Sequence, residues 1–146
     1  MKILLINGPN LNNLGKRDTL IYSNTTLPEI ITAVKKKAKE LKVQVADYQS
    51  NVEGDLIDFI QSESPSADAI IINPGAFTHY AYALRDALVD AGKPIAEVHI
   101  SNVYSREDFR HKSVIAPIAV GQIAGFGWRG YIAALEMLVD RAKNNK

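Results

Sequence analysis

Ala69-Ile70-Ile71-Ile72-Asn73-Pro74-Gly75-Ala76 carries the plainest mark of the fold. An apolar run rich in β-branched residues stops at a polar turn. Such a run, with no polar alternation, fits a strand buried on both faces. Working outward, four more apolar runs appear: Ile3 to Ile6, Val43 to Tyr48, Ile95 to Ile100, and Pro117 to Val120. Longer stretches with helical spacing separate them. A helix is predicted from Thr26, which has capping-box spacing to Glu29, with Pro28 tolerated in the first turn. Leu27, Ile30, Ile31, Val34, Ala38 and Leu41 then recur at helical intervals. Further helices are predicted over 53–63, over 77–91 ending at Gly92, and over 129–143. Ala81, Leu84, Leu88 and Ala91 form the inner face of the third. Ile132, Leu135, Leu138, Val139 and Ala142 form that of the last, whose Arg141, Lys143 and Lys146 suit the negative end of a helix dipole. The order βαβαβαβ(loop)βα predicts an α/β, flavodoxin-like, three-layer doubly wound domain with a five-stranded parallel sheet. Residues 1–146 suffice for a single domain.

Composition narrows the function. The chain has 146 residues, a net charge of +1 and no cysteine. No global field selects nucleic acid or an anionic membrane. Disulfides and cysteine-ligated metals are excluded, which fits a reducing compartment. The apolar run at Ile3 to Ile6 is too short for a signal-peptide core or a membrane span. A cytoplasmic protein is expected.

In an open parallel sheet, ligands bind beyond the carboxyl ends of the strands. Here these ends are polar: Asn7-Gly8-Pro9-Asn10, Gln49-Ser50-Asn51, Asn73-Pro74-Gly75-Ala76 and Glu97-Val98-His99-Ile100-Ser101-Asn102. Two long polar segments, Gly8 to Asn24 and Ser101 to Ser113, leave the same edge without strand or helix period, save for a turn of helix near Asp108. They carry Arg17 and Tyr22 on one side and Arg106, Arg110 and His111 on the other. Singly, each of these is unremarkable: Asn-Pro-Gly makes turns, and a lone His at a strand end is commonly scaffold. Together they predict a polar small-molecule site.

Other motifs lead elsewhere. His79, His99 and His111 lack metal-ligand spacing, and no G-x-S-x-G elbow follows a strand. Gly125-Phe126-Gly127-Trp128-Arg129-Gly130 matches G-x-G-x-x-G, but a dinucleotide fingerprint belongs in the first βα turn. These glycines read as close packing of the last helix. The run Lys35-Lys36-Lys37-Ala38-Lys39 reads as a solvated helix face. A nucleotide- or flavin-binding module and a non-catalytic assembly protein are the competing classes.

Taken in order, several segments resemble the type II 3-dehydroquinate dehydratases: Gly8-Pro9-Asn10-Leu11-Asn12 with Leu14-Gly15-Lys16-Arg17, Tyr22, Gln49-Ser50-Asn51 with Glu53-Gly54, Asn73 to His79 with Ala83 to Ala87, Glu97 to Asn102 with Arg106 to Arg110, and Gly121 to Tyr131. The resemblance implies a single catalytic domain, with conversion of 3-dehydroquinate to 3-dehydroshikimate and water through an enolate. The pathway would be shikimate and aromatic amino-acid biosynthesis or quinate breakdown. It implies no cofactor, no metal, and a homododecamer built from trimers. Tyr22 would be the base, helped by Arg17. A free tyrosine has a pKa near 10, and lowering it by about three units requires roughly 4 kcal/mol of preference for phenolate, which guanidinium groups can supply, Arg17 from the same loop and Arg110 from the other. His99 would be the acid, supported by Glu97. Asn10 would support the site, and Asn73 would orient substrate and a water. His79, Ile100 and Ser101 would hold the substrate carboxylate, and Arg110 a substrate hydroxyl. Asp86 would reach a neighbouring subunit's site; its seven-residue spacing from His79 predicts that both share one helix face. Three departures from the family pattern lie in the first loop: Asn13, Asp18-Thr19, and Ser23 where glycine is usual. Ser23 takes φ > 0 less easily than glycine, so altered loop closure is expected, with Ser23→Gly changing kcat or KM.

Overall fold

Ala69–Asn73 lies at the centre of a five-stranded parallel sheet. The computed structural model describes residues 1–22 and 24–144. Its strands are β1 (Lys2–Asn7), β2 (Gln44–Gln49), β3 (Ala69–Asn73), β4 (Ile95–His99) and β5 (Gly121–Ala124), in the order β2-β1-β3-β4-β5. This is the flavodoxin-like order, whose switch point falls between β1 and β3. The helices are α1 (Thr19–Tyr22), α2 (Leu27–Glu40), α3 (Glu53–Glu63), α4 (Tyr82–Ala91) and α5 (Arg129–Asn144).

The two-residue period of the strands divides the core into two layers. Ile3, Leu5, Ala69, Ile71, Ala96 and Val98 pack with α2 and α5 on one face. Leu4, Ile6, Ile70, Ile72 and Ile95 pack with α3 and α4 on the other. Each fully buried Leu or Ile contributes about 1.5–3 kcal/mol, so the uninterrupted apolar runs bind helices to both faces. At the start of α2 the capping box is complete: Thr26 Oγ1 accepts from the Glu29 amide, and Glu29 accepts from the Thr26 amide at 2.8 Å.

The structure corrects several boundaries. The last strand is Gly121–Ala124, paired with Ala96–His99, rather than Pro117 to Val120. Ala116–Ile118 forms a 3-10 turn instead, because Pro117 has no N–H for a ladder but suits a first turn. The third helix begins at Tyr82; Gly75–His79 before it is a 3-10 turn. The first long segment holds a 3-10 turn at Leu11–Asn13 and the short helix α1. The second holds 3-10 turns at Val103–Ser105 and Asp108–His111, the latter near the expected place. Tyr131 and Ala134 join the buried face of α5, with Ile132 at its margin. Ser23 and Lys146 lie outside the described residues, and so do the readings placed on them.

Lys35 and Lys37 of the basic run pair with Asp47 at 2.5 Å and Glu136 at 2.8 Å, as a helix face would. Gly130 packs tightly: a Cβ there would lie 3.3 Å from Val98 and Ile123. That spacing accounts for glycine in the misplaced G-x-G-x-x-G motif.

Candidate active site

The turn after β1 abuts the turn after β3. A Cβ on Gly8 would lie 2.3 Å from the Pro74 carbonyl, so only glycine fits. The Gly8 amide donates to the Asn73 carbonyl at 2.8 Å. Asn10 adopts a left-handed backbone with φ 67°, a conformation asparagine tolerates better than most residues. Its amide donates to Asn51 Oδ1 at 2.9 Å, and Gln49 Nε2 donates to the Gly8 carbonyl at 3.2 Å. The polar end of β2 therefore braces the first turn.

A cavity of about 130 Å³ opens beside these turns, at the carboxyl edge of the sheet. Asn10, Arg17 and Tyr22 line it from the first long segment, Asn73 and His79 from the β3 side, and His99, Ile100 and Ser101 from β4. Arg106 and Arg110 close it from the second segment. Asp86 does not line it. Its carboxylate is largely exposed and lies 3.5 Å from the Arg85 guanidinium. His79 belongs to the 3-10 turn rather than to α4, so the shared helix face expected for His79 and Asp86 does not form.

Local chemistry positions each group. Asp18 starts α1: its side chain accepts from the Leu20 amide at 3.1 Å and its carbonyl from the Tyr22 amide at 3.0 Å. This brings Arg17 and Tyr22 to one side of a tight turn. The Arg17 guanidinium sits 4.3 Å from the Tyr22 ring centroid and that of Arg106 5.1 Å. The second cation at Tyr22 is thus Arg106 rather than Arg110, which pairs with Glu107 at 3.1 Å. Arg106 also donates to Ser101 Oγ at 3.1 Å. Its Nε is buried with no hydrogen-bond partner among the described residues.

Across the cavity, His99 Nε2 lies 2.6 Å from Glu97 Oε1. With Glu97 as the carboxylate, which only accepts, Nε2 is the donor in that bond. Glu97 is fully buried and also takes hydrogen bonds from Thr78 and Ser113. His79 Nδ1 donates to the Lys112 carbonyl at 2.7 Å, which fixes its ring. Asn73 is held from behind by Tyr131, whose hydroxyl accepts from Asn73 Nδ2 at 2.8 Å and donates to Asn7 at 2.7 Å. Burial drives the Tyr131 hydroxyl far above the ordinary tyrosine range. Sequence reasoning placed Arg106 in the loop without giving it a role. It missed Thr78, Ser113 and Tyr131. The first two sit in segments read as helix and loop, and Tyr131 is one aromatic among many at helical spacing.

Among the described residues, no cluster of three or more His, Cys, Asp or Glu could hold a metal, and no helix is long and apolar enough to cross a membrane. Arginines and amide groups can bind an anion, and the tyrosine and imidazole can move protons on either side of it. The fold and the site define a flavodoxin-like α/β protein with groups suited to acid–base chemistry on one cavity.

Comparison with known proteins sharpens that class. The family model described as dehydroquinase class II matches residues 1–139. The chain is 59% identical over 139 residues to the 3-dehydroquinate dehydratase of Roseiflexus castenholzii, covering 95% of this chain and 88% of that one. It is 56% identical to the 3-dehydroquinate dehydratase of Dictyoglomus turgidum, over 94% of this chain and 95% of that one. The crystal structure of the type II dehydroquinase from Butyrivibrio crossotus superposes with a TM-score of 0.92 at 51% identity, covering 94% and 97% of the two chains. This chain belongs to the class II dehydroquinase family.

Proposed function

We propose that the chain is a single-domain 3-dehydroquinate dehydratase that converts 3-dehydroquinate to 3-dehydroshikimate and water with no cofactor. Family membership supports the reaction. The observation that carries the residue roles is the placement, on one cavity, of Tyr22 under two guanidinium groups and of His99 bound to a buried carboxylate.

In this reading the Tyr22 phenolate removes the proton beside the ketone, and the C–H electron pair becomes the enolate. The positive charges of Arg17 and Arg106 stabilise negative charge on the tyrosine oxygen. Asn73 orients a water at the enolate oxygen, where donors lower the barrier most. The enolate then collapses and the C–O bond to the tertiary hydroxyl breaks. His99 gives its proton to that oxygen, so water leaves rather than hydroxide. Tyr22 returns its proton to solvent, and His99 regains one. The substrate carboxylate lies against His79, the Ile100 and Ser101 amides and Ser101 Oγ, and Arg110 binds a substrate hydroxyl. Asp86, exposed here, serves the site of a neighbouring copy in a trimer, and four trimers assemble the homododecamer. The enzyme acts in the cytoplasm, in the shikimate pathway of aromatic amino-acid biosynthesis.

The test is absorbance of the product, a conjugated enone, on mixing purified protein with 3-dehydroquinate and a metal chelator. A steady rise unaffected by the chelator is expected. A flat trace from folded protein overturns the proposal. Borohydride should trap no substrate on the protein, because no lysine Schiff base takes part.

A further inference from the structure

Glu97 is a fully buried carboxylate with no Lys or Arg partner among the described residues. Its partners are all able to donate: Thr78 Oγ1 and His99 Nε2 to Oε1, and Ser113 Oγ, 3.0 Å from Oε1 and 2.9 Å from Oε2. The direction of the Ser113 bond is set by its other neighbours. Ser113 Oγ accepts from the Ile115 amide at 3.0 Å and the Ala116 amide at 2.8 Å. Both hydroxyl lone pairs are then occupied, which leaves its one proton two acceptors in reach, Glu97 and Thr78 Oγ1 at 2.7 Å. A carboxylate is the strongest acceptor within reach. A proton on Oε2 would meet a Ser113 oxygen that can accept nothing more. The pocket around Glu97 is therefore wired for the ionised acid.

We propose that Thr78 and Ser113 are positioning residues that hold Glu97 as the carboxylate and so keep the acid proton on His99. The inference rests on the reading of His99 as the general acid. Ionised Glu97 favours the imidazolium form of His99 and fixes its ring. If Glu97 took the proton, His99 would lose its counter-charge and become a poor donor at neutral pH. Other charged or titratable groups surround the pair without contacting Glu97. Arg17, Tyr22, His79, Arg106 and Arg110 share the cavity with His99. Tyr104, His111 and Lys112 line a second hollow, of about 300 Å³, that also reaches Thr78, His99 and Ser113.

Thr78→Val removes one donor and leaves the backbone carbonyl that binds the Val114 amide at 2.7 Å. Ser113→Ala removes the other donor. It also frees two amides, so Thr78→Val is the cleaner variant. NMR of carboxyl-labelled glutamate and of the His99 imidazole follows both groups through the acidic and neutral range, beside pH profiles of kcat and KM. In each variant, Glu97 should take up its proton at a pH about one unit higher. The acidic limb of kcat should shift upward with it. On that limb kcat at a given pH should fall about tenfold, with KM little changed. Thr78→Ser should restore both the titration and the rate. A Glu97 titration unmoved in both variants overturns the proposal, whatever the activity. An unsubstituted protein that does not turn over 3-dehydroquinate, yet shows the displaced Glu97 titration in Thr78→Val, overturns the dehydratase reading and upholds the hold on the carboxylate.

Discussion

The Tyr131 hydroxyl accepts a hydrogen bond from Asn73 Nδ2 at 2.8 Å across the buried end of β3, and so decides which way the Asn73 amide faces. Asn73 Oδ1 in turn accepts from the Gly75 amide at 3.1 Å. With both ends engaged, the amide cannot flip without losing two bonds. The cavity is shaped from behind, by a helix residue that does not line it.

Tyr131→Phe should leave buried polar atoms of Asn73 and Asn7 unsatisfied, at a cost of about 1–3 kcal/mol. Urea unfolding reads this as a lower midpoint at unchanged slope. Alkaline pH gives a second readout. Burial raises the folded-state Tyr131 value above its unfolded one. The stabilising effect is therefore complete below the unfolded tyrosine pKa of about 10 and is lost as pH rises above it. The loss of stability above that pH should be shallower in Tyr131→Phe. An unchanged midpoint and an unchanged alkaline slope would show that the buried chain contributes nothing.

Gly8→Ala should be more damaging than its size suggests. The added Cβ would sit 2.3 Å from the Pro74 carbonyl oxygen, so one of two turns carrying site residues must move. Overpacking of this kind costs about 1–3 kcal/mol or more. Thermal unfolding should show the loss, and KM for 3-dehydroquinate should rise as Asn10 and Asn73 separate. Gly54→Ala, where a Cβ meets nothing within 4 Å, serves as the tolerant control.

Arg17→Ala removes the nearer of the two guanidinium groups over Tyr22. A decrease in kcat of about a hundredfold is expected, in the range seen when one preorganised electrostatic group is lost. Arg106→Ala should lower kcat as well and should also weaken binding, because Arg106 steadies Ser101 at 3.1 Å. Steady-state kinetics of both variants separate the two effects. Full activity in Arg17→Ala would remove the basis for an ionised tyrosine.

Much of the sheet was legible because buried parallel strands show themselves as unbroken apolar runs. Ile3 to Ile6 and Ala69 to Ile72 could face only a core. The last strand was not legible in the same way. Gly121-Gln122-Ile123-Ala124 has a weak apolar signal beside the stronger Pro117 to Val120, and only the missing N–H of Pro117 argued against the latter. The cavity residues Arg17, Tyr22, Asn73 and His99 were legible because topology places strand ends and long segments on one edge. Their supports were hidden. Thr78, Ser113 and Tyr131 contact Glu97 or Asn73 from 16 to 58 positions away, and no local spacing encodes such a meeting. The role of Arg106 beside Tyr22, in place of Arg110, depends on how two irregular segments pack, which periodicity does not address.

In the proposed mechanism Tyr22 takes the proton that starts the reaction. The direct measurement is turnover of 3-dehydroquinate by Tyr22→Phe, followed by enone absorbance, with substrate affinity measured separately by calorimetry. Removing only the hydroxyl should abolish nearly all of kcat while leaving affinity within a few-fold of the unsubstituted enzyme. Substantial kcat in Tyr22→Phe would contradict the claim and shift the search for the base to the other groups of the cavity.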